Sequence, residues 1–149
     1  MTQTRHVVRL PGVGQAVRIL LRAEDSDESL GAVEVRMGPG EPGPPLHLHR
    51  LHAESFYVLE GEMTLRVGDD RITDGPGLWA TAPAGVPHTL ANFSAAPARV
   101  LCLFSPGGFE RRFQRMLASD AERAGLAELS EAERETELLG APMQPPGPA

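Results

Sequence analysis

At 149 residues the chain is sized for one domain with its own core. A net charge of −6 removes the basic face that phosphate neutralisation needs and argues against a nucleic-acid partner. The 16 Gly and 14 Pro favour turns and short strands over long helices, and no segment has the length of a membrane span.

Taken in chain order, "MTQTRHVVRLPG" lacks the apolar core of a secretory leader, so a cytoplasmic location is expected. "HVVRL" reads as a strand closed by Pro11-Gly12, with His6 on its surface. "QAVRILLRA" ends in the acidic "EDSDES", and "LGAVEVRM" ends in "GPGEPGPP", whose prolines and glycines exclude a helix. "ESFYVLEG", "EMTLRVGDDRI", "GLWATAPAG", "VPHTLANF" and "ARVLCLFSPGG" follow. Short strands spaced by turns, with no helical pattern between them, predict an all-β antiparallel sandwich or barrel over about residues 5–106.

"VLEGEMTLRVGDDRI" reads as two successive hairpins, with reversals at Glu60-Gly61-Glu62 and Gly68-Asp69-Asp70. Met63, Leu65 and Val67 alternate onto one face. Cys102, the one cysteine, sits in a strand-like run and is expected to be a buried, unreactive thiol.

After Gly108 the period changes. Phe109, Phe113, Met116 and Leu117 make one helical stripe, and Ser119…Glu122 and Ser130…Glu133 both match the capping-box pattern. Two or three short helices are expected over about 109–140, packed on the barrel, with a frayed Pro-rich tail over 141–149. Residues 1–149 thus read as a single domain.

The chemistry concentrates in "PPLHLHRLHAESFYVLEG". It holds three of the five histidines, followed by a carboxylate. In an extended strand His47 and His49 point to one face, as two neighbouring positions of a coordination sphere require. Glu54 lies an odd step beyond, so a turn or bulge at Arg50–His52 must reset the phase if it is to join them. A polar loop with surface histidines is the plain alternative. His52 itself reads as a solvated turn residue.

The downstream stretch "GLWATAPAGVPHTLANF" completes a pairing that resembles the cupin superfamily. The first motif of that family, His-x-His, three or four residues, Glu, six residues, Gly, is matched by His47, His49, Glu54 and Gly61. The second, Gly, five residues, Pro-x-Gly, two residues, His, three residues, Asn, is matched by Gly77, Pro83, Gly85, His88 and Asn92. One departure is Glu41, where the family often carries Gly; Gly40 and Gly43 flank it.

The resemblance implies a cupin jelly-roll (double-stranded β-helix) barrel holding one divalent transition metal, Fe, Mn, Ni, Cu or Zn, on His47, His49, Glu54 and His88. Three nitrogens and one oxygen leave one or two coordination positions open. Gly77, Pro83 and Gly85 are expected to shape turns and Asn92 to tie backbone at a strand end. Phe56 and Val58 share parity with Glu54 and should line the barrel, with Met37, Trp79 and Leu90 as further wall candidates. Relatives of this kind imply a metal-dependent dioxygenase acting on a small flavonol- or polyketide-like enol or phenol, with Glu54 as ligand and as general base if the interior raises its pKa. A metal-dependent isomerase or polyketide cyclase, and a non-catalytic binding module, remain as alternatives. A homodimer is also expected, with "HVVRL" and "QAVRILLRA" as edge candidates.

Overall fold

Strict alternation builds the sheets. β2 (Gly31–Met37) buries Val33, Val35 and Met37 and turns Arg36 to solvent. β9 (Ala98–Ser105) buries Ala98, Val100, Cys102 and Phe104 between outward Arg99, Leu101 and Leu103. The structure, a computed structural model, describes residues 16–126 and 128–147. The expected strand "HVVRL", with His6, lies outside them.

One antiparallel sheet runs β1 (Ala16–Leu21), β2, β9, β4 (Ala53–Glu60), β7 (Trp79–Ala82). The other runs β10 (Thr136–Pro142), β3 (Pro45–His49), β8 (His88–Ala91), β5 (Met63–Val67), β6 (Asp70–Asp74). From β2 to β9 the chain changes sheet at each connection except β5–β6. This is jelly-roll architecture, and the all-β expectation holds. The core between the sheets centres on Val33, Phe56, Val58, Met63, Leu65, Val100 and Phe104.

Sheet switching corrects one local reading and explains another. Gly68–Asp69 closes a true hairpin, pairing Val67 with Asp70, but Gly61 does not. It carries the chain from one sheet to the other at φ 72°, and a Cβ there would fall 2.3 Å from the Pro97 carbonyl. Between His49 and Glu54 the expected reset is a turn and not a bulge. The turn at Arg50–His52 moves the chain to the opposite sheet, so Glu54 meets the histidines from across the barrel.

The helices are α1 (Arg111–Leu117), α2 (Asp120–Ala124) and α3 (Glu131–Arg134), and both capping boxes form. Phe109, Phe113 and Leu117 pack on the core, whereas Met116 stays exposed because the stripe of so short a helix is narrower than its sequence suggests. Helix does not extend to residue 140. Thr136–Pro142 is strand β10, pairing Thr136 with His49 and Leu138 with His47 along the free edge of β3. The start of the tail is held where fraying was expected: Met143 is buried and the Arg71 guanidinium donates to the Gln144 carbonyl at 2.8 Å.

Buried Glu110 ties this C-terminal segment to the barrel. Its two oxygens accept from Ala23 N at 2.6 Å and Gly108 N at 2.8 Å, and a Cβ on Gly31 would collide with them. Glu110→Gln turns an NH2 donor toward one of two backbone donors, and urea unfolding should show a loss of about 1–3 kcal/mol. Unchanged stability would contradict that role. Cys102 is buried as expected, and burial pushes its thiol pKa well up. A maleimide should label it only after unfolding; labelling of the native chain would refute the placement.

Candidate metal centre

Four donors converge inside the barrel. His47 and His49 project from β3, His88 opens β8 directly opposite His47, and Glu54 comes from β4 in the facing sheet. All four are buried, and their donor atoms lie within 4.8 Å of one another. The imidazole centroids are 4.5 Å apart for His47–His88 and 5.0 Å apart for His47–His49 and His49–His88. Glu54 Oε2 lies 3.0 Å from His49 Nε2 and 2.8 Å from His88 Nε2.

The far side of each ring is anchored. His47 Nδ1 donates to the Pro45 carbonyl at 2.7 Å, and His88 Nδ1 donates to the Val86 carbonyl at 2.9 Å. A carbonyl can only accept, so in both rings Nδ1 carries a proton and Nε2 faces the cluster. His49 Nδ1 meets the Thr136 hydroxyl at 2.8 Å. Lone pairs aimed at a carboxylate repel it unless a proton or a cation lies between. The donor set therefore fits a divalent cation, with three borderline nitrogens, one hard oxygen and a fixed outer shell.

The electrostatics agree. Burial pushes the Glu54 carboxyl up, but its hydrogen bonds to His49 and His88 outweigh that and hold it below the usual carboxylate range. Burial pulls His88 down, and its hydrogen bond to Glu54 more than reverses this, leaving it raised. Burial, then repulsion from His88, lowers His47 to about 4, keeping it a neutral donor. The raised carboxyl expected for Glu54 is thus corrected: the two imidazoles keep it anionic.

His52 is a second correction. It is 2% exposed, not solvated, and stacks on His49 with centroids 4.1 Å apart. Neither ring nitrogen has a hydrogen-bond partner, and burial, then His49, pushes it down to about 3. It packs against Phe104 and Phe109, beside a cavity of about 150 Å³. Its sequence position marks a turn, but that turn is roofed by the C-terminal segment, which local reading does not anticipate. Of the expected walls, Phe56, Val58, Met37 and Leu90 are buried. Trp79 is 52% exposed and packs at a tilt against Tyr57, because it pairs with Tyr57 on the outer face of the β4–β7 ladder.

The motif turns form as expected. Gly77 and Gly85 have φ of 96° and 84°, and Asn92 Nδ2 donates to the carbonyls of Met37, Gly38 and Ala96. Glu41, the departure, serves its own turn by accepting from Gly38 N at 2.9 Å. Thr136 was not found by sequence reasoning. Its one signal was a β-branched residue just past a capping-box helix.

Comparison with known proteins agrees with this geometry. The cupin domain model matches residues 33–104. These residues thus form a cupin domain. It is 31% identical over 70 residues to quercetin 2,3-dioxygenase of Bacillus subtilis (strain 168), covering 47% of this chain and 20% of that enzyme. The match therefore spans about a fifth of that enzyme's length. TT1209 from Thermus thermophilus superposes with a TM-score of 0.56 at 31% identity, covering 70% of this chain and 90% of that one. The polyketide cyclase RemF from Streptomyces resistomycificus gives a TM-score of 0.55 at 24% identity, covering 70% and 77%, a likeness of fold. Among the described residues no helix is long and apolar enough to cross a membrane.

Proposed function

We propose that the chain is a metal-dependent dioxygenase acting on a small enol or phenol, flavonol- or polyketide-like in character, with the ion held by His47, His49, Glu54 and His88. The observation that carries this reading is the anionic Glu54 carboxylate set between two imidazoles on an apolar floor. The local likeness to quercetin 2,3-dioxygenase supports the choice of oxygenase over the other cupin chemistries.

When bound, a redox-active divalent ion supplies the Lewis acidity and electron-transfer capacity that dioxygen chemistry needs. The residues do the rest. Glu54 Oε2 is ionised at neutral pH and accepts a hydrogen bond from an enol or phenol hydroxyl brought beside it; a carboxyl held below its usual range is a weak base, so its part is to orient the hydroxyl more than to remove its proton. His47, His49 and His88 are held from behind so that their Nε2 atoms need no reorganisation. Phe56, Met37 and Leu90 keep water from the floor and favour a flat apolar ligand.

Oxygen uptake by the metal-loaded protein, measured against a panel of flavonols and catechols, tests this. Uptake above the free-ion control with at least one substrate is expected. Its absence with every ion and substrate sinks the oxygenase reading and leaves isomerisation, cyclisation or simple binding at the same site. A homodimer in the cytoplasm is the accompanying expectation, consistent with β1 ending its sheet among the described residues. A light-scattering mass near 16.0 kDa would refute the dimer.

A further inference from the structure

We propose that Thr136, in the C-terminal strand beyond the matched cupin domain, is a positioning residue for the metal centre. It fixes His49 with a proton on Nδ1 and turns Nε2 toward the other donors. This rests on the reading of the four-residue cluster as a metal site.

A threonine hydroxyl has one hydrogen. Thr136 Oγ1 gives it to the Ala132 carbonyl at 2.9 Å, so it meets His49 Nδ1 at 2.8 Å as an acceptor. The proton between them then belongs to His49 Nδ1, and Nε2 is left to face Glu54 Oε2 at 3.0 Å, where a proton or a cation lies between them. The other two imidazoles obtain the same result locally, from backbone carbonyls two residues earlier in the chain. His49 differs: its anchor lies 87 residues downstream, brought opposite it by the β10–β3 register. His52 covers a flat side of the His49 ring but makes no hydrogen bond, so stacking leaves the choice of tautomer open.

The dependence continues outward. Ala132 belongs to α3, whose first turn is set by the reciprocal Ser130–Glu133 cap. Helix α3, β10 and His49 are thus linked by hydrogen bonds, and a segment outside the family's motifs completes the outer shell of a motif ligand. Loss of such a partner typically weakens metal binding by about 10–100-fold.

The test has two parts. In the ion-free full chain, 15N NMR of the His49 imidazole should show a proton on Nδ1; a ring protonated on Nε2 alone overturns the proposal. Zn(II) affinity by chelator competition, with Co(II) absorption as the coordination signature, should then fall about 10–100-fold in Thr136→Val. Thr136→Ser should keep both the affinity and the Co(II) spectrum. A valine variant that binds like the parent overturns the proposal, as does equal weakening by valine and serine, which would mark a packing role. If Thr136→Val does not fold, the tautomer in the unaltered chain decides. If the unaltered chain takes up neither ion, the metal reading fails, while the His49 tautomer still settles what Thr136 does.

Discussion

Glu54→Gln is expected to leave the chain folded but unable to retain a divalent ion, with affinity falling by more than about 100-fold, beyond what outer partners cost. The substitution keeps size and shape, so Phe56 and Val58 on the same strand hold their places in the core. It removes the one anionic donor of the four and points either a neutral oxygen or an NH2 at His49 and His88. An NH2 is the worse of the two, since an amide donor cannot coordinate. With no carboxylate beside it, His88 also loses the hydrogen bond that raises its proton affinity. Metal content after dialysis against Zn(II), with a thermal melt, reads both halves of the expectation. Full retention of the ion would show that the carboxylate is not a ligand. Loss of the fold would show that these buried donors are needed for structure, and the enzyme reading would weaken with it.

The barrel was legible because its signals are local. Turn residues sit at each strand end, and alternation such as Val33–Val35–Met37 is fixed by a period of two. The ligand set was legible because coordination constrains spacing: His47 and His49 share a face in any extended strand, and the second motif's turn sets His88 across from His47. Other features failed where a distant segment overrides local chemistry. His52 looks like a turn residue and is one, yet Phe109 and the cavity-lining residues Ser130–Ala132 roof it. Residues 136–142 carry little strand pattern, being largely exposed, and become strand because the edge of β3 offers unpaired backbone groups. Trp79 is apolar and reads as an interior residue, but ladder parity puts it outside with Tyr57. The sign of the Glu54 shift was unreadable for the same reason: burial was foreseeable, the pair of imidazoles that outweighs it was not.

Glu133→Ala should produce the largest loss of stability, about 3 kcal/mol, the lower end for a broken buried ion pair because Arg115 retains 19% side-chain exposure against 5% for Glu133. Glu133 receives both Arg115 guanidinium nitrogens, at 2.5 and 2.9 Å, together with Ser130 N at 2.8 Å and Ser130 Oγ at 2.9 Å. Removing it leaves Arg115 with only the Leu126 and Glu128 carbonyls, takes away the reciprocal half of the α3 capping box, and loosens the turn that presents the Ala132 carbonyl to Thr136. The pH dependence has a definite sign. Burial pushes the Glu133 carboxyl up, but Arg115 and Ser130 outweigh it, so its folded pKa lies below the ordinary 4.5. The stabilisation is therefore present above pH 4.5 and is lost as pH falls through the lower folded value. Urea unfolding of parent and variant should show a wide gap near neutrality that narrows under acid. A gap that persists unchanged in acid would mean that α3 is held by packing and not by this carboxylate, and the electrostatic link from Glu133 through α3 to His49 would fail with it.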